Sequence, residues 1–245
     1  MTESSNFEES KRNLLKMGLA AATLGVVGSG VKAATTKPER VWWTTAPIQA
    51  KDFSPLVNKP PEGMSSRQIS EHLGLYKKYV SSYNKVKEQE KSTGINHDTL
   101  INKGFAYGGT VLHELYFDNL GQAQTALNYQ SPLMTAIERE YGAFEGLINN
   151  FKDAGMAARG WAILGLNLFD GRLTLMGMDA HNEGSALTFV WPIVVMDVYE
   201  HAYMIDHGTN KAAYVDGFLK NINWNVAEAR FNQAVKNIAN SPLVL

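Results

Sequence analysis

Between Phe189 and Tyr203 the chain reads FVWPIVVMDVYEHAY, an apolar β-like run that ends on a carboxylate and, four residues later, an imidazole. An Asp at the end of such a run needs a cation or a hydrogen-bond donor to offset its desolvation. A His one turn later can complete a site with it. Asp197 and His201 are therefore candidate metal ligands. The same spacing also suits a helix N-terminus at Asp197 with His201 packed and hydrogen-bonded, so the pair alone leaves both readings open.

The chain has 245 residues, enough to bury a substantial core. Its net charge of −1, with no basic tail and no low-complexity tract, argues against a nucleic-acid partner. The absence of Cys excludes disulfides, zinc–thiolate sites, iron–sulfur clusters and thiol catalysis. His and carboxylate remain as the strong ligands, a set that suits manganese or iron. At the N-terminus, SKRNLLK (Ser10 to Lys16) precedes an uncharged run from Met17 to Val31 and then small residues at Val31-Lys32-Ala33. This resembles a twin-arginine signal with Lys11 in place of the first arginine; an amphipathic or disordered arm is the alternative. On the signal reading, residues 1–33 are a leader and the twin-arginine export machinery is a partner. The mature chain then begins near Ala34, leaves the cytoplasm folded with its cofactor, and is periplasmic or secreted.

Five prolines between Thr35 and Gly63 leave little room for regular structure, so residues 34–63 read as an extended arm. From Ser65 the pattern turns helical: Ile69, His72, Leu73, Tyr76, Tyr79, Val80 and Tyr83 recur at helical intervals behind a Ser65 or Ser66 cap. After the polar turn STGINHD a second helix, INKGFAYGGTVLHELYFDNLG, should fold back as an antiparallel hairpin, closing a unit over residues 64–130. Ser131 to Asn149 is helical and continues to Met156. Then the period changes. GWAILGLNLFDGRLTLMGMD reads as two strands joined at Asp170-Gly171, and Leu187 to Met196 as a third. The remainder is helical with an interruption around Asn221 to Trp224. The expected class is α+β: an N-terminal antiparallel helical hairpin, then a mixed domain over residues 131–245 with a three-stranded antiparallel sheet and surrounding helices.

The wording of several segments adds a resemblance. SSRQISEHLG, GGTVLHELYFDNL, ARGWAILGLNLFDGRLTL, DVYEHAY and AYVDGFLKNINWNVAEARF are similar, in order, to segments of the iron/manganese superoxide dismutases. The resemblance implies four ligands, His72, His113, Asp197 and His201, for one Fe or Mn ion per chain, with one position left for solvent or substrate. It implies that superoxide is the substrate and that Tyr79 and His181 are catalytic, Tyr79 as a gateway hydroxyl and His181 in the place usually held by a glutamine that hydrogen-bonds the solvent on the metal. Gly109 would leave room for that side chain. Trp161 and Phe117 would wall the pocket, beside Tyr199. Glu200 would reach across a homodimer, or a higher homo-oligomer, to the partner's ligand histidine. His97 and His207 lie outside these patterns and read as surface residues.

The departures from the family pattern are local. The interval from His72 to Tyr79 is one residue shorter than usual, and Leu75 and Tyr76 stand near the place of a missing helix-one histidine. Tyr199 replaces a tryptophan. Met204 replaces the tyrosine that in typical dimeric members bonds across the interface to the missing helix-one histidine, so both ends of that bridge are absent. Two functions follow: dismutation of superoxide to oxygen and hydrogen peroxide, or a non-enzymatic metal-binding or structural descendant of the same fold.

Overall fold

The computed structural model describes residues 46–121, 126–183 and 189–239. Residues 1–33, read above as a leader, and residues 34–45 lie outside the described residues. The rest of the arm runs irregularly to a short helix, α1 (Ser54–Asn58), that its prolines had not suggested; Pro55 sits in the first turn, where its missing N–H costs nothing. The Asn84 side-chain amide holds the Ile48 backbone at both ends, its oxygen accepting from the Ile48 N–H and its nitrogen donating to the Ile48 carbonyl.

Ser65 caps α2 (Ser66–Thr93) by accepting from the Gln68 amide, and Gly94, at φ 74°, ends it. The next helix, α3 (His97–Asn119), starts earlier than the polar turn implied. Asn96 forms a reciprocal capping box with Thr99, so the residues of INHD become the helix start. The expected single helix after Ser131 is two, α4 (Pro132–Tyr141) and α5 (Phe144–Ala157), because Gly142 takes φ 76° and breaks the hydrogen-bond ladder.

The sheet has the order β2-β1-β3, all antiparallel, with β1 (Trp161–Asn167) central, β2 (Leu173–Met178) and β3 (Val190–Asp197) at its sides. β1 is buried almost throughout, as a strand covered on both faces must be. Gly171, at φ 70°, supplies the left-handed residue of the β1–β2 connection. The third strand begins at Val190; Leu187 lies outside the described residues. Beyond β3 come a 3-10 turn (Glu200–Ala202), α6 (Met204–His207), α7 (Lys211–Lys220) and α8 (Trp224–Ala239). The break between α7 and α8 is where Ile222 bridges Leu120, tying the C-terminal helices to the end of α3. Buried Asn119 fixes α3 against β3: its side-chain oxygen accepts from the Val195 amide and from Arg230, which also reaches the carbonyls of Ile193 and Leu115. Among the described residues, no helix is long and apolar enough to cross a membrane.

Candidate metal centre

Four side chains from four elements meet where α2, α3 and the end of β3 converge. His72 lies on α2, His113 on α3, Asp197 closes β3 and His201 sits in the 3-10 turn. One ligand atom from each falls within 4.8 Å of all the others. The shortened interval in α2 does not turn His72 outward: it is 1% exposed, and its Nε2 stands 3.0 Å from Asp197 Oδ2. Seven residues are nearly two full turns, so Tyr79 lies on the same face of α2 as His72. His201 Nε2 and His113 Nε2 are 3.2 and 3.5 Å from the same oxygen.

Neighbouring groups aim these side chains. The other Asp197 oxygen accepts from the Tyr199 amide at 3.0 Å, and the Asp197 carbonyl accepts from the Tyr214 hydroxyl at 2.6 Å. Gln68 clamps the start of α2 to the ligand turn, donating to the His201 carbonyl at 2.6 Å and accepting from the Ile205 amide. His113 Nδ1 donates to the Gly109 carbonyl at 2.5 Å, which leaves the Nε2 lone pair facing Asp197. That Nε2 is buried and has no hydrogen-bond partner among the described residues, as is also true of His72 Nδ1. A buried acceptor aimed at a carboxylate is costly unless a cation lies between them. Iron or manganese, borderline metals that accept imidazole and carboxylate together, fit this donor set.

The protonation states agree. Burial alone would raise the Asp197 carboxyl, but the His201 and His72 rings facing it outweigh burial and hold it well below the usual carboxylate range. Burial pushes His113 down to about 3 and lowers His72, each only partly offset by Asp197. Neutral imidazoles and an ionised carboxylate are the forms that bind a metal.

Around the ligands lies an aromatic ring of residues. His181, 4% exposed, receives the Trp161 indole N–H at Nδ1 (3.0 Å), while its Nε2 is 2.8 Å from the Tyr79 hydroxyl. Burial lowers His181 to about 4, and burial together with the Asp197 charge raises Tyr79 to about 12. Trp161 packs edge-on to His113, Phe117 lies 5.0 Å from the His72 ring, and Tyr199 stacks on His201. The room beside Gly109 is taken by the Tyr79 ring, 2.7 Å from where a Cβ would lie, and not by the 179–183 loop. It is Gly108 that faces this loop: a Cβ there would sit 1.9 Å from the His181 carbonyl oxygen.

Several residues at the site carried no recognisable signal in the sequence. Phe105 lies against both His181 (4.6 Å) and Tyr79 (6.0 Å), and Gln68, Gly108 and Tyr214 position the site through single backbone or ring contacts. Tyr76 is not at the edge of the site near Met204. It is buried, donates to Glu114 and accepts from the Lys51 amide, so it docks the arm. Leu75 is the residue that shares a surface cleft with Glu200, His201 and Met204. His97 is exposed; His207 is half-buried and donates to the Gly63 carbonyl.

Residues 129–230 match the family model described as iron/manganese superoxide dismutases, C-terminal domain. The iron superoxide dismutase of Aquifex aeolicus is 39% identical over 202 residues, covering 77% of this chain and 93% of that protein. The iron superoxide dismutase of Aquifex pyrophilus is 39% identical over 193 residues, 71% of this chain and 87% of that protein. A manganese superoxide dismutase of Haloferax volcanii is 29% identical over 164 residues, 64% of this chain and 81% of that protein. With a relative this similar along most of both chains and a buried three-histidine, one-aspartate cluster in the corresponding fold, the chain belongs to the iron/manganese superoxide dismutase family.

Proposed function

We propose that this chain is a superoxide dismutase holding one iron or manganese ion between His72, His113, Asp197 and His201. The observation that carries it is the convergence of three imidazoles and one carboxylate within 4.8 Å, with the buried Nε2 of His113 lacking a hydrogen-bond partner among the described residues. Bound there, the metal supplies one-electron exchange in both directions, so that one superoxide loses an electron to give dioxygen and a second gains one, with two protons, to give hydrogen peroxide. The residues set the conditions. Asp197 brings one negative charge, which offsets part of the cation's charge. Tyr79 keeps its proton at neutral pH and stands 2.8 Å from His181. Trp161 and Phe117, both buried, keep bulk water from two sides of the ligands.

Two finer readings accompany this one. Pairing of two chains through Glu200 is supported by its exposure and by the 30% exposure of the neighbouring His201 ring, an unusual state for a ligand that a partner would cover. Export by the twin-arginine route to the periplasm or medium is supported by the residues from Ser10 to Ala33.

The test is metal content together with superoxide-dependent peroxide formation by the purified chain. About one iron or manganese per chain, with peroxide formed far above the spontaneous rate, is expected. A fully loaded protein no faster than the background would leave only a metal-binding descendant of the fold.

A further inference from the structure

A glutamine amide carries two N–H bonds, whereas a neutral imidazole carries one, and the histidine at position 181 therefore changes what the pocket can donate. The Trp161 indole can only donate. Its N–H, 3.0 Å from His181 Nδ1, requires a lone pair there, since a proton on Nδ1 would set two donors face to face. The single N–H of His181 is then at Nε2, and Nε2 is 2.8 Å from the Tyr79 hydroxyl oxygen. Tyr79 accepts that hydrogen bond, so its own O–H is free to point elsewhere. No other hydrogen-bond partner for it exists among the described residues, and its ring lies 5.2 Å from that of His113.

We propose that Trp161 is a positioning residue that locks His181 as the Nε2–H tautomer, and that the resulting one-way chain, Trp161 to His181 to Tyr79, makes the Tyr79 hydroxyl, not His181, the group that donates a hydrogen bond to the anion in the site. The lock has two mechanical supports. The His181 carbonyl occupies the space of the absent Gly108 side chain, and the Phe105 ring closes over the imidazole at 4.6 Å, so the ring has little freedom to turn. His181 itself then offers nothing to the substrate. The anion in question is the superoxide of the proposed function, on which this inference rests.

Neutron diffraction from the metal-loaded protein exchanged into heavy water reads the chain directly. The expected result is a deuteron on His181 Nε2, none on Nδ1, and a Tyr79 O–D directed away from His181. A deuteron on Nδ1, or a Tyr79 O–D aimed at His181, would overturn the proposal. A second measurement separates positioning from packing. Trp161→Phe removes the donor and keeps most of the ring, and should slow peroxide formation about three- to tenfold, the worth of one hydrogen bond. In a Tyr79→Phe background the same change should cost almost nothing further, because the chain is already cut. Independent, multiplying losses would show that Trp161 only packs, and would also sink the proposal. Should the loaded wild type prove inactive while the deuterons lie as expected, the dismutase reading falls and the tautomer lock stands.

Discussion

A methyl group added to Gly108 and one added to Gly109 meet different obstacles, although the two residues are adjacent. On Gly109 it would lie 2.7 Å from carbons of the Tyr79 ring, which can pivot about its own side-chain bonds; on Gly108 it would lie 1.9 Å from a backbone oxygen of His181. Alanine gains about 1 kcal/mol over glycine in a helix interior, whereas forced overpacking costs typically about 1–3 kcal/mol and more where backbone must move. Gly109→Ala should therefore be near neutral to mildly destabilising and displace Tyr79. Gly108→Ala should cost more than about 2 kcal/mol and shift the 179–183 loop. Urea midpoints rank the two, and equal midpoints would contradict the argument. The family resemblance had placed the loop's side chain beside Gly109; consecutive helix residues project about 100° apart, and it is Gly108 that faces the loop. The ligands were legible at this scale because Asp197 and His201 each sit in a distinctive local context. Gln68 and Phe105 were not, since one acts through a backbone carbonyl and the other through a ring that only folding brings near.

Among the elements, those with a side-chain cap or a strong apolar period were readable, and breaks made by backbone conformation were not. Ser65 announced α2, and the alternation through β1 and β2 announced the hairpin. Gly142 lies in a stretch whose apolar period runs on past it, so only its positive φ reveals that α4 and α5 are separate. Tyr76 illustrates the same limit: the sequence set it near the place of the missing helix-one histidine, but only the fold shows the arm running over α2 and giving its hydroxyl a partner in the Lys51 amide. The start of α3 yields a local prediction. Asn96→Ala removes both the acceptor for the Thr99 amide and half of a reciprocal pair, and should cost about 1 kcal/mol. Because His113 lies more than four turns further along the helix, metal content should be unchanged. A large loss of bound metal in this variant would mean that the far end of the hairpin is coupled to the centre.

For the molecule as a whole, the exposed edge of His201 and the buried histidines around it respond to different variables. If Glu200 closes that edge from a second copy, Glu200→Ala should weaken self-association at least about tenfold in sedimentation equilibrium, and a wild type that is monomeric at micromolar concentration would refute the pairing. Proton uptake concerns the interior. His113 is held to about 3 and His181 to about 4 by burial, both below the 6.5 of a free imidazole. The unfolded chain therefore takes up protons first as pH falls, and the stability these groups contribute is whole above about pH 6.5 and lost progressively towards about pH 4. Asp197, whose carboxyl is depressed, adds a loss of the same sign only below its unfolded value of 3.8, outside this window. Each fully buried neutral histidine contributes a slope of up to about 1.4 kcal/mol per pH unit. Metal-free protein should accordingly show urea midpoints that fall from pH 7 to pH 5, whereas protons compete with metal for His113 in the folded protein only towards about pH 3, because a protonated imidazole cannot ligate. His113→Gln, similar in size but without a titrating group, should flatten the slope. A metal-free His113→Gln protein whose midpoint falls as steeply as that of the wild type would show that the acid sensitivity originates elsewhere.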